Sequence, residues 1–185
     1  MAHKKNSNQA MDRITASLAA TFGPTGPDNP HGYELSSSFT IAERRRLLGN
    51  WQIVEHLVDG QDYVRYFMET TLKGMELAEA EYLSSYQFLE GIIIRRSTII
   101  GQLLFQRQMA PYSYNLSMSL QWSLEPHILV VQPVMAYQYA SLNGEPAAVR
   151  ELPQGSEWIR VHYQFDHKDL VITDGGDTKR LSRVE

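Results

Sequence analysis

At 185 residues the chain has the length of one globular domain, or of a smaller domain with a tail. Its 43% hydrophobic, 21% charged and 10% aromatic residues can build a core, which excludes a wholly disordered or collagen-like chain. A formal charge of −4 argues against a nucleic-acid partner, and the lack of cysteine removes disulfides, zinc–thiolate sites and thiol nucleophiles together.

Residues 1–39 hold three basic and three acidic side chains, so the acidic excess falls in 40–185. Met11, Ile14, Leu18 and Phe22 keep one apolar face at helical steps, and the Gly/Pro-rich stretch 23–30 then breaks regular structure. This reads as a flexible N-terminal extension with a short transient helix, or as a helix that docks on a partner or on the body's own surface. Lys4 and Lys5 give a basic start, but no continuous apolar stretch follows, so no secretory signal is legible. No apolar run approaches the roughly 18 residues of a membrane span. A cytoplasmic location is expected, or a periplasmic one if the native N-terminus differs.

The body is expected to span 40–185. Thr40-Ile41-Ala42-Glu43 forms a capping box, predicting a helix over 41–48 that Gly49 ends. Period-two patterning then predicts strands over 51–58 and 61–72 around Asp59-Gly60, although Val64, Phe67, Met68 and Leu72 also suit a helical face. A brief helix or loop is expected over 75–80. Strands over 82–89 and 92–100 flank Glu90-Gly91, with Gly101 a candidate bulge before 102–108. The clearest strand is 115–124, where Leu116, Met118, Leu120, Trp122 and Leu124 share one face. A strand over 128–140 carries Pro133, which implies an edge, a bulge or a break. Residues 147–156 read as irregular, and strands follow over 158–165, 170–173 and 178–184. The whole is mainly all-β, an antiparallel meander of about eight to nine strands. Closing it into a barrel would hide its edges; a two-sheet sandwich is the competing layout.

Two stretches carry a resemblance. Leu48-Gly49-Asn50-Trp51-Gln52-Ile53-Val54 resembles the Gly-x-Trp opening of lipocalin-like (calycin) barrels, and Leu170 to Val184 resembles their ending. In those barrels an arginine near the last strand packs across the opening tryptophan. The resemblance implies that Arg180 or Arg183 closes the barrel against Trp51, with Gly49 in the opening motif. A narrower likeness joins Tyr86-Gln87-Phe88-Leu89-Glu90-Gly91, Arg95, Gln121-Trp122-Ser123-Leu124 and Leu129 to Val134. Their order is similar to that of strands and turns in the ToxS-type regulatory proteins, lipocalin-like partners of membrane-bound transcription activators in bacteria. That likeness implies a barrel that completes or shields the activator's periplasmic domain, in some members around a bile salt. Members carry an N-terminal membrane anchor, which is not legible here.

Catalytic signatures are missing: the sequence has no Gly-x-Ser-x-Gly, Gly-x-Gly-x-x-Gly, P-loop or His-Glu-x-x-His. The six histidines are scattered, and His162 and His167 are poorly spaced as metal ligands, so neither a metal nor a cofactor is expected. Asp174-Gly175-Gly176-Asp177 reads as turn chemistry, and Glu76, Glu79 and Glu81 as a solvated face. A barrel interior remains as the candidate site. Trp122, Met118, Phe105, Tyr86, Phe88 and Tyr163 would line a pocket or simply fill the core. Arg95 or Arg160 could anchor an acidic head group, because an arginine inside a barrel must be paired by a protein carboxylate or by a ligand. The expected function is a non-enzymatic binding module for a small hydrophobic or amphipathic ligand, a protein partner, or both. The alternatives are a filled barrel acting purely as an interaction partner, and a barrel-cavity isomerase or lyase.

Overall fold

The computed structural model describes residues 38–72, 75–105, 107–152 and 157–184. The N-terminal segment with its Met11–Phe22 pattern lies outside these residues. Helix α1 (Ser38–Leu47) leads into β1 (Gly49–Val58) and the two-residue β2 (Gln61–Asp62). Helix α2 (Tyr63–Thr70) follows, then β3 (Leu77–Leu89), β4 (Ile92–Phe105), β5 (Gln108–Glu125) and β6 (Ile128–Leu142). The chain ends with β7 (Glu145–Leu152), β8 (Ile159–Asp166), β9 (Asp169–Asp174) and β10 (Asp177–Val184). Every strand pairing is antiparallel.

The sheet runs β10-β9-β8-β6-β5-β4-β3-β1, and β10 also pairs with β1, so eight strands close on themselves. Strands β2 and β7 lie outside the ring, on β1 and β6 respectively. The seam registers Trp51 opposite Arg183 and Ile53 opposite Leu181. Closure leaves no long unpaired edge in the ring, which an open sheet of this width would carry. The core is the inward row of each strand; in β5 it runs without interruption from Ala110 to Leu124. Among the described residues no helix is long and apolar enough to cross a membrane.

Several local expectations are corrected. Helix α1 begins at Ser38, so Thr40 is its third residue rather than its cap. Residues 63–70 form a helix, not a strand: Asp62 accepts the backbone N–H groups of Val64 (2.9 Å) and Arg65 (3.3 Å), and Phe67 packs against Tyr114. Strand β3 already starts at Leu77, where a helix or loop was expected. A bulge between Ala78 and Glu81, with Glu79 at φ 52°, interrupts the alternation that marks a strand. Gly101 itself is not bulged in its pairing with β5. A side chain there would come within 2.9 Å of the Ala78 carbonyl oxygen, so glycine lets the β3 bulge approach. Residues 145–152 are a strand, pairing with β6 from Ala136 to Leu142, while β8 takes Ile128 to Val131. Strand β6 changes partner around the bulge between Pro133 and Met135, where proline's missing N–H is tolerated.

Candidate functional site

At one end of the barrel α1 packs over the seam. Leu47 is fully buried, and Trp51, 2% exposed, donates its indole N–H to the Leu47 carbonyl at 2.7 Å. The Arg183 guanidinium lies 4.8 Å from the Trp51 ring centroid and donates to the carbonyls of Arg46 and Leu48. Gly49, at φ +122°, runs beside that guanidinium in a conformation that side chains resist. Arg44 pairs with Glu90 and sits 5.0 Å from the Trp122 ring, Arg46 covers Phe165, and Tyr163 reaches Glu43. Arg180 points the other way. It is held outside by Asp166 at 2.6 Å and Asp169 at 3.6 Å, so of the two candidate arginines Arg183 meets the tryptophan.

Towards the other end the interior turns polar. A bulge between Ile53 and Glu55 changes the parity of β1: Glu55 opposes Arg180 on the outer face, and His56 opposes Lys179 inside. His56 (4% exposed) and Lys179 (7% exposed) share Asp177. The imidazole Nε2 stands 2.8 Å from Asp177 Oδ1, and the Lys179 ammonium donates to Oδ2. Burial pushes the imidazole down to about 4, outweighing the opposing Asp177 hydrogen bond, so the ring is neutral at pH 7. An ionised Asp177 only accepts, which places the ring proton on Nε2 and leaves Nδ1 to accept from the Tyr82 hydroxyl at 3.0 Å. Burial works against the Asp177 carboxylate, yet the His56 hydrogen bond and the Lys179 charge hold it well below the usual range. Burial also lowers the Lys179 ammonium to about 8. Tyr63 covers the group from α2, its ring stacked 4.1 Å from that of His56.

Arg95 is the exception in this group. It is 7% exposed, lies 5.5 Å from the ring of Tyr86, its partner across the β3–β4 ladder, and donates Nε–H to Ser97 at 3.2 Å. Among the described residues no carboxylate forms an ion pair with it. The acid whose charge acts on it, Asp177, is taken by His56 and Lys179. Arg95, Lys179, Asp177 and Asp174 form the charged half of a partly enclosed cavity of about 50 Å³, whose other half is aliphatic, with Leu120, Val131 and Ile172. Asp174 Oδ2 is buried here without a hydrogen-bond partner among the described residues, and burial pushes its carboxyl up. The arrangement offers donors to an acceptor-rich guest and one oxygen that needs a donor or a proton.

The residues singled out from the sequence therefore separate. Arg95, Tyr86 and Met118 meet at the cavity. Trp122, Phe88 and Tyr163 are buried toward the end that α1 covers; Trp122 donates to the Leu89 carbonyl at 2.8 Å and meets Phe88 edge-on. Arg160 does not reach the interior: it alternates with inward Val161 and pairs with Glu125 through both carboxylate oxygens on the outer face. The side chain of Phe105 lies outside the described residues. Reasoning from sequence missed His56, Lys179, Asp177 and Asp174 as a group. The two aspartates frame a turn, and His56 faces inward only through the β1 bulge. Among the described residues no group of three or more His, Asp or Glu is placed to hold a metal ion.

Fold and interior together define a closed antiparallel eight-stranded barrel with a small, charged, partly enclosed cavity, compatible with a lipocalin-like fold. The chain matches no protein-family model and no curated protein.

Proposed function

We propose that this chain is a non-enzymatic, lipocalin-like binding module that holds a small acidic ligand inside the barrel. One observation carries the reading: Arg95 is a buried guanidinium with no carboxylate partner among the described residues, facing a cavity it shares with Lys179. A buried charge of this kind costs several kcal/mol unless something neutralises it. Burial cannot discharge an arginine as it can a lysine, and beyond the Ser97 hydroxyl, the Tyr86 ring and the shared field of Asp177 an acidic guest would supply the missing counter-charge. About 50 Å³ is far below the roughly 300–1,000 Å³ of drug-sized pockets, so the ligand class is a small acid rather than a fatty acid or bile salt.

Thermal-shift titration of the full chain with small carboxylates, fatty acids and bile salts tests this. Saturable stabilisation by small carboxylates, lost in Arg95→Met, is the expected result. A second reading draws on the same small volume: a filled barrel acting as an interaction partner in the manner of the ToxS-type proteins. Met135, Tyr137 and Val149 on the outer face of β6 and β7 are exposed for such contact. No response to any acid would transfer the proposal to that reading. An isomerase or lyase needs a titratable group free to act in the cavity. His56 and Asp177 are spent on each other, on Tyr82 and on Lys179, which leaves Asp174. Ligand recovered chemically unchanged after incubation supports binding; conversion would transfer the reading to catalysis.

A further inference from the structure

The cavity asks for two things that a simple anion does not supply together. Arg95 presents donors and a positive charge that no described carboxylate pairs, and Lys179 adds the N–H groups it does not give to Asp177, so an acceptor with negative charge suits one end of the guest. Asp174 Oδ2, in the same cavity, lacks a partner, and a second anionic oxygen beside it would repel it. A hydroxyl meets that requirement in either protonation state, because it donates to a carboxylate and accepts from a carboxylic acid. The remaining groups facing the cavity add no competing charge. Asp177 is neutralised by Lys179, and Tyr86 keeps its proton because burial raises the phenol. Size limits the guest further. About 50 Å³ corresponds to roughly three to five water-sized positions, at about 10–15 Å³ each.

Building on the acidic-ligand reading above, we infer that the guest is a short 2-hydroxycarboxylate of two or three carbons. Its carboxylate lies between Arg95 and Lys179, its hydroxyl is on Asp174, and its carbon side faces Leu120, Val131 and Ile172. The test is calorimetric titration of the full chain with glycolate, acetate, nitrate and decanoate. Glycolate should bind about tenfold more tightly than acetate, the effect of one hydrogen bond to a charged group. Nitrate, which has no hydroxyl and no carbon to bury, should bind more weakly than glycolate. Asp174→Ala should bring glycolate and acetate to equal affinity; Asp174→Asn, closer in shape, serves if the alanine variant does not fold. Equal binding of glycolate and acetate by the unaltered chain overturns the hydroxyl assignment while leaving an anion site in place. Tightest binding of decanoate overturns the size argument. Binding of none of the four overturns this inference and the acidic-ligand reading together, and leaves a cavity filled by water.

Discussion

Of the arginines that lie against aromatic rings, two stand on barrel strands, Arg183 and Arg95, and they differ in their partners. Arg183 covers Trp51 at the seam and spends its donors on two backbone carbonyls under α1. Arg95 lies beside Tyr86 in the interior and has one hydroxyl partner, with no carboxylate paired to it among the described residues. The first belongs to a closed hydrogen-bonded unit whose loss should weaken the fold. The second, on the binding role proposed above, is a charge retained at the expense of stability, which is how binding sites commonly differ from cores. A protein whose interior served packing alone would place methionine or leucine at position 95.

The comparison can be broken by substitution, beginning with the largest effect. Trp51→Ala should cost about 3–5 kcal/mol in urea unfolding, because a nearly fully buried indole and its hydrogen bond leave together. A change near zero would mean the seam does not hold the barrel closed. Arg95→Met should act with the opposite sign. Without ligand the variant should gain about 1–4 kcal/mol, as when buried ionic groups are replaced by apolar ones of similar volume, while acid binding disappears. Arg183→Met keeps much of the packing on Trp51 but leaves two carbonyls without their donor, and should lose about 1–2 kcal/mol. Arg160→Ala removes a partly exposed pair with Glu125 and should change stability by about 0–1 kcal/mol, without affecting binding.

The charged interior also predicts a pH dependence that the seam does not. His56 titrates near 4 in the folded chain against an ordinary value of 6.5, so between these values the unfolded chain binds more protons. Stability should therefore rise as pH increases from about 4 to 6.5, and fall again on acidification through that window. Lys179, lowered to about 8, acts in the same direction between about 8 and 10.5, because the unfolded chain again holds the proton longer. Urea midpoints measured across pH for the unaltered chain and for His56→Gln would assign the lower window: the rise should flatten in the variant.

What could be read from the sequence follows how directly physics writes each feature into it. The alternation of Leu116 to Leu124 identifies a strand, and Asp59-Gly60 marks a turn, which the structure shows with positive φ at both residues. The run Ile92-Ile93-Ile94-Arg95-Arg96 has no alternation, so the sequence does not tell which arginine faces inward; pairing of Arg95 with Tyr86 and Met118 decides it. His56 was hidden by parity, since one extra residue in β1 exchanges inside for outside. The start of strand β3, residues 77–81, was hidden by its bulge. Strand β7 was hidden because an outer strand has no continuous core face to reveal it. Asp174 and Asp177 looked like turn residues and are turn residues; Asp177 shares a face of β10 with Lys179 two residues on, and the register of β9 with β10 brings Asp174 to the same end.

Diffraction from crystals grown without carboxylate buffers and then soaked in glycolate would address the Arg95 assignment most directly. The expected result is a bound organic acid whose two carboxylate oxygens lie within hydrogen-bonding distance of the Arg95 terminal nitrogens and the Lys179 ammonium. An Arg95 side chain engaged by a carboxylate of the protein itself, with the cavity unchanged by the soak, would contradict it.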